Sequence, residues 1–70
     1  MEQEISLEER RGLIEAEIRV VRQNEYVLTT RYRVNKKIGS SPETLEAITK
    51  DLERCALFID ELTTIYNELK

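Results

Sequence analysis

Arg22, Tyr26, Thr29, Arg33 and Lys37 follow one another at spacings of four, three, four and four, with Arg19 and Lys36 beside them. On a helix these spacings keep the side chains on one face. Guanidinium groups there grip phosphate or carboxylate with two prongs, a tyrosine ring offers a flat surface to a base or another arginine, and threonine adds a hydroxyl. The chemistry is recognition of an anion, whether a small anionic molecule or an acidic protein surface. The plain alternative is a solvated helix face, the usual fate of charge runs.

A second line, Glu17, Asn24 and Arg31, repeats every seven residues inside an otherwise apolar arc. If two copies of this segment crossed antiparallel about Asn24, Glu17 of one would face Arg31 of the other, and a polar residue at the crossing would fix the register. Leu28 and Tyr32 lie in the same arc, and Tyr32 can combine packing with a hydrogen bond at a subunit boundary. The alternative places the whole line at the solvated edge of an interface.

Catalytic chemistry finds little support. There is no histidine, and Cys55 is the only cysteine. It falls on an apolar seam where a small buried hydrophobe is expected and no base is present to activate a thiol. The same two counts remove intrachain disulfides and the common zinc and haem sites, so no metal and no cofactor are expected. No phosphate-cradling glycine loop is present. The long first helix, with Arg and Lys among apolar residues, is similar in outline to that of the helical chorismate mutases. That family adds a third helix and a characteristic acidic pattern in its first helix, and neither is evident here, so no residue role is carried over.

The elements that must position these residues are marked by few and well-placed breakers. Gly39-Ser40-Ser41-Pro42 is the one strong interruption. Glycine can take the left-handed conformation that ends a helix, Lys36 and Lys37 suit the negative end of the helix dipole, and Pro42 suits the first turn of a new helix capped by Ser41. A capping box of Ser40 with Glu43 is an alternative one residue earlier. Ser6-Leu7-Glu8-Glu9 predicts another capping box. The reading is therefore a first helix over about residues 7–38, a turn over 39–41 and a second helix over about 42–69, in a single domain covering residues 1–70. At 1.5 Å per residue the arms measure about 48 and 42 Å, matched as an antiparallel hairpin requires. Gly12 weakens the first helix locally. The β-branched and aromatic stretch Tyr26 to Val34 keeps helical spacing and has no second strand to pair with.

In the second helix Leu45, Ile48, Leu52, Cys55, Ile59, Leu62, Tyr66 and Leu69 form a seam at alternating spacings of three and four, widened by Ala56, Phe58 and Ile65. In the first, Leu13, Ile14, Ile18, Val20, Val21, Val27, Leu28, Tyr32, Val34 and Ile38 cover more than half of the circumference. One neighbouring helix cannot cover so broad an arc. Ordering costs about 1.5 kcal/mol per residue, and a chain of 70 residues without staples must recover much of it from association. The expected architecture is all-α: a two-helix hairpin assembling into a homo-oligomer, by default a dimeric four-helix bundle.

The net charge of -3 is unevenly spread. Residues 18–38 carry six cationic side chains against Glu25 alone, and the flanking segments are acidic. Such local charge points to an anionic partner or a complementary subunit, whereas the acidic whole argues against general nucleic-acid binding. No apolar run reaches the roughly 18 residues of a membrane span, and Met1 leads into Glu2 and Glu4 where a secretory leader would be basic and then apolar. With a lone unpaired cysteine, the expectation is a cytoplasmic protein with no membrane partner.

These readings converge on a non-enzymatic helical interaction protein, an adaptor, assembly factor or inhibitor that works as a homo-oligomer through its helical faces. An alternative, suggested by general architecture, is sequestration of a nucleotide or cyclic oligonucleotide between subunits, as some small viral counter-defence proteins do. A small helical enzyme of chorismate mutase type is the third class.

Overall fold

The computed structural model describes residues 4–69. Met1 and Glu2, on which the leader argument partly rests, lie outside that range. Two helices make up the fold: α1 over Leu7–Ile38 and α2 over Pro42–Glu68. Leu69, expected inside the second helix, is instead its extended C-cap, with its N–H donating to the Tyr66 carbonyl.

The start of α1, its end and the start of α2 are each fixed by the local device that the sequence encodes. Ser6 is extended and its hydroxyl accepts from the Glu9 N–H at 3.1 Å, while the Glu9 carboxylate accepts from the Ser6 N–H at 3.1 Å. This reciprocal box satisfies two donors that a helix start leaves free. Gly39 ends α1 in the left-handed region with φ 80°. The Ser40 N–H then reaches the Asn35 carbonyl at 2.9 Å, and the Gly39 N–H reaches the Lys36 carbonyl at 3.4 Å, the paired bonds of a Schellman turn. Ser41, not Ser40, caps α2: its hydroxyl accepts from the Thr44 N–H at 3.2 Å, with Pro42 in the first turn. The Ser40 hydroxyl is engaged elsewhere, donating to Asn35 Oδ1 at 2.6 Å, which leaves Ser41 to cap. Asn35 Nδ2 donates in turn to the Arg31 carbonyl at 2.8 Å, so one side chain ties the last turn of α1 to the loop.

The helices pack against each other over their length. Residues of α1 that are at least half-buried, Leu7, Ile14, Ile18, Val21, Glu25, Leu28, Tyr32 and Asn35, follow heptad spacing, as do Leu45, Ile48, Leu52, Cys55, Ile59, Leu62, Tyr66 and Leu69 of the second arm. Helix 1 runs unbroken through Gly12 and through Tyr26 to Val34.

The result is a flat rod of 54 × 22 × 14 Å, two helices wide and one helix thick. Its radius of gyration, 16.4 Å, is well above the roughly 11 Å of a compact chain of this length. Among the described residues Val21, at 8% exposure, is the one fully buried hydrophobe. The broad apolar arc of α1 is thereby divided. One stripe faces α2, and Leu13, Val20, Val27 and Val34 remain between 45 and 57% exposed.

Two glycine substitutions check this account of the helix ends. A methyl at Gly12 meets nothing within 4 Å, so Gly12→Ala should stabilise the fold by up to about 1 kcal/mol through helix propensity. Gly39 holds a conformation that alanine resists, so Gly39→Ala should cost about 1 to 2 kcal/mol. Urea unfolding followed by circular dichroism at one fixed protein concentration reads both, and opposite signs are expected.

Candidate functional site

The Arg19 to Lys37 stripe of α1 stands on the flank away from most of its valine stripe. Arg19, Arg22, Thr29, Arg33, Lys36 and Lys37 are all exposed, and Tyr26 is 75% exposed, more than any other large hydrophobic side chain described. No packing role accounts for a ring so bare. Tyr26, Thr29, Arg33, Lys36 and Lys37 share one shallow, open depression along the last three turns of α1, rimmed by Tyr32, Val34 and Ile38. Arg19 and Arg22 lie farther toward the helix start and outside it. Lys36 Nζ sits 5.9 Å from the centre of the Tyr32 ring, a cation–π distance that holds one ammonium over the half-buried tyrosine. The depression is built from one helix alone, so it offers a binding strip and not an enclosed pocket.

Glu17, Asn24 and Arg31 are exposed and lie on the opposite flank, next to the valine stripe. Leu28 and Tyr32, grouped with them in the sequence reading, belong instead to the half-buried seam against α2. The reason is angular: in a heptad, residues 28 and 32 point toward the neighbouring helix, whereas 24 and 31 stand roughly 75° to the side of the seam's midline. Asn24, Val27 and Arg31 line a small groove with Leu28, and Asp51 and Cys55 of α2 form its other wall. This face therefore combines a cation and an anion with apolar side chains. Phe58, 59% exposed, falls on the same flank of the second arm by its heptad position.

Cys55 is half-buried at the groove edge, in keeping with its place on the seam. Among the described residues no three His, Cys, Asp or Glu side chains gather as a metal site requires, and no helix is long and apolar enough to cross a membrane.

Three polar features escaped the sequence reading. Glu25, the single acid of the basic segment, occupies a half-buried seam position of α1. Asn35 braces the turn, for which its position five residues before Ser40 was the available signal. Tyr66, read as packing, donates its hydroxyl to Glu15 Oε2 at 2.9 Å across the open end of the hairpin. No local pattern connects residues 51 positions apart.

The Tyr66 contact has a measurable consequence. Its hydroxyl ionises above the usual tyrosine value, because the hydrogen bond to Glu15 favours the protonated form. The Glu15 charge and slight desolvation add to the effect, and Arg11 opposes it. A raised folded-state value means that the contribution to stability is complete below the ordinary tyrosine range and is lost as pH climbs through the folded value. Absorbance titration near 295 nm should show Tyr66 ionising late, and Glu15→Gln should move that step back toward the ordinary value. An unchanged titration in the variant would show that Glu15 does not hold the hydroxyl.

Comparison with known proteins leaves these surfaces to be read on their own geometry: no protein-family model, no curated protein and no solved structure matches the chain.

Proposed function

We propose that this chain is a small non-enzymatic interaction protein, an adaptor, assembly factor or inhibitor, that works as a homo-oligomer through its helical faces. The observation that carries the reading is the near absence of a closed core. Val21 alone is fully buried among the described residues, while a row of apolar side chains stands open along α1. A monomeric soluble protein seldom leaves such a stripe uncovered. The described concavities are open grooves, and the cysteine in one of them has no histidine to activate it. Interaction through surfaces suits this molecule better than catalysis. Light scattering at micromolar concentration tests the oligomer: a mass of twice the monomer or more is expected, and a well-folded monomer overturns the reading.

A second reading concerns what the assembly binds. The bare Tyr26 ring, set among Thr29, Arg33, Lys36 and Lys37, supports docking of an anion on this strip, either an acidic protein surface or a nucleotide. Solubility does not require it, since acidic residues serve that purpose elsewhere in the chain.

Arg22→Glu combined with Arg33→Glu should leave melting unchanged and abolish binding to a partner recovered from the native host. Binding by the unaltered protein should weaken as salt rises. Full binding by the double variant would reduce the strip to a solvated face. Tyr26→Ala separates the two ligand classes: loss of a stacked base costs about 1 to 3 kcal/mol, and a diffuse protein contact costs little.

A further inference from the structure

We propose that α1 carries a second helical seam, about 100° around from the one that faces α2, and that a second copy of this chain packs on it with the two first helices antiparallel. The inference rests on the self-association reading above and names the face and register that serve it.

The seam is legible in the exposed residues. Leu13, Val20, Val27 and Val34 repeat every seven positions and stay open. Glu17, Asn24 and Arg31 interleave with them at alternating spacings of four and three, the rhythm of a helix-packing seam. A right angle between two seams on one helix is the geometry of a corner in a four-helix bundle, with α2 along one edge and the second copy along the other.

Charge selects this face over the other flank. A two-fold contact sets each patch against itself. The far flank would bring Arg19, Arg22, Arg33 and Lys37 against their own copies, which costs energy, whereas the valine face carries one acid and one base at balanced positions. Ile38, 70% exposed, continues this spacing four residues after Val34, and the antiparallel register that pairs it with Leu13 sets Asn24 opposite Val27 and Val20 opposite Arg31. Glu17 of each copy then lies about three residues, or roughly 4.5 Å along the axis, from Arg31 of the other. Both ion pairs form at once, and the arginine stems cover valine.

The rod has surface to spare for such a contact. The chain exposes 5934 Å², about 1,300 Å² more than the roughly 4,600 Å² of a compact protein of its mass. A standard stable interface takes about 800 Å² from each partner. Phe58 of α2 lies on the same flank and adds to the covered face.

Sedimentation of three full-length proteins provides the test. The unaltered chain and the off-face control Leu57→Lys should both be dimers, and Val20→Glu with Val27→Glu should weaken dimerisation by at least about 100-fold. An unaltered chain that sediments as a folded monomer overturns self-association as a whole. A dimer that survives the double substitution, or is lost in Leu57→Lys, overturns only this face.

Because the charged variant can unfold, a second measurement uses mild changes in a Cys55→Ala background. Chains bearing Val20→Cys should form a disulfide with chains bearing Arg31→Cys when the two are mixed and oxidised. Neither should link to itself, since identical positions are then about 16 Å apart along the axis. Linkage within a single variant, or none in the mixture while the dimer persists, contradicts the register.

Discussion

Two helices in contact share one interface, and a side chain on either can be enclosed only from the side where the neighbour lies. The other side stays open to water. Everything else about this molecule follows from that geometric constraint. The seam between α1 and α2 contains well-matched apolar residues, yet they are half-buried, and Val21 alone is fully enclosed among those described. Burial of apolar area is the main favourable contribution to folding, at about 25 cal/mol per Å². A hairpin one helix thick buries little of it, which is the physical ground for proposing that the surfaces still exposed contribute the rest through association.

Local devices define the shape, and charge divides it. The capping box at Ser6, the left-handed Gly39 and the Ser41-Pro42 start place the two arms side by side with little freedom at the turn, where Asn35 adds two further hydrogen bonds. Glu15 and Tyr66 hold the open end together. Between these points α1 presents three faces: an apolar one toward α2, a mixed apolar and balanced one with Leu13, Val20, Val27 and Val34, and a cationic one around Tyr26. The mixed face suits a second copy of the same chain, and the cationic face, repelled by itself, stays available for a different, anionic molecule. Under the proposed functions, assembly and recognition thus occupy separate flanks of one helix.

Much of the fold is legible in the sequence because its signals are local. Ser6 with Glu9, Gly39, and Ser41 before Pro42 each act within a single turn of helix, and each behaves in the structure as its residue type implies. The seam of α2 is equally plain, since one apolar repeat runs through it. Helix 1 is harder, because two apolar repeats of the same period are superposed on it. Ile14, Val21 and Leu28 turn toward α2, and Leu13, Val20 and Val27 do not, although the two sets sit one residue apart. Which repeat faces the neighbour depends on how the turn aims the second arm. Glu25 and Asn35 on the seam interrupt the apolar pattern that would have revealed it. For the same reason Leu28 and Tyr32 were grouped with the polar line at Asn24, and the Glu15 to Tyr66 bond, which needs the register of both helices, was not legible at all.

The central claim is that this hairpin completes its fold by associating with itself, and the dependence of thermal unfolding on protein concentration tests it most directly. If folding and association are coupled, the midpoint should rise by about 3 to 6 °C for each tenfold increase in concentration, because each decade adds about 0.7 kcal/mol per chain. A cooperative transition whose midpoint stays fixed across a hundredfold range would contradict the account, since the hairpin would then be stable as a monomer.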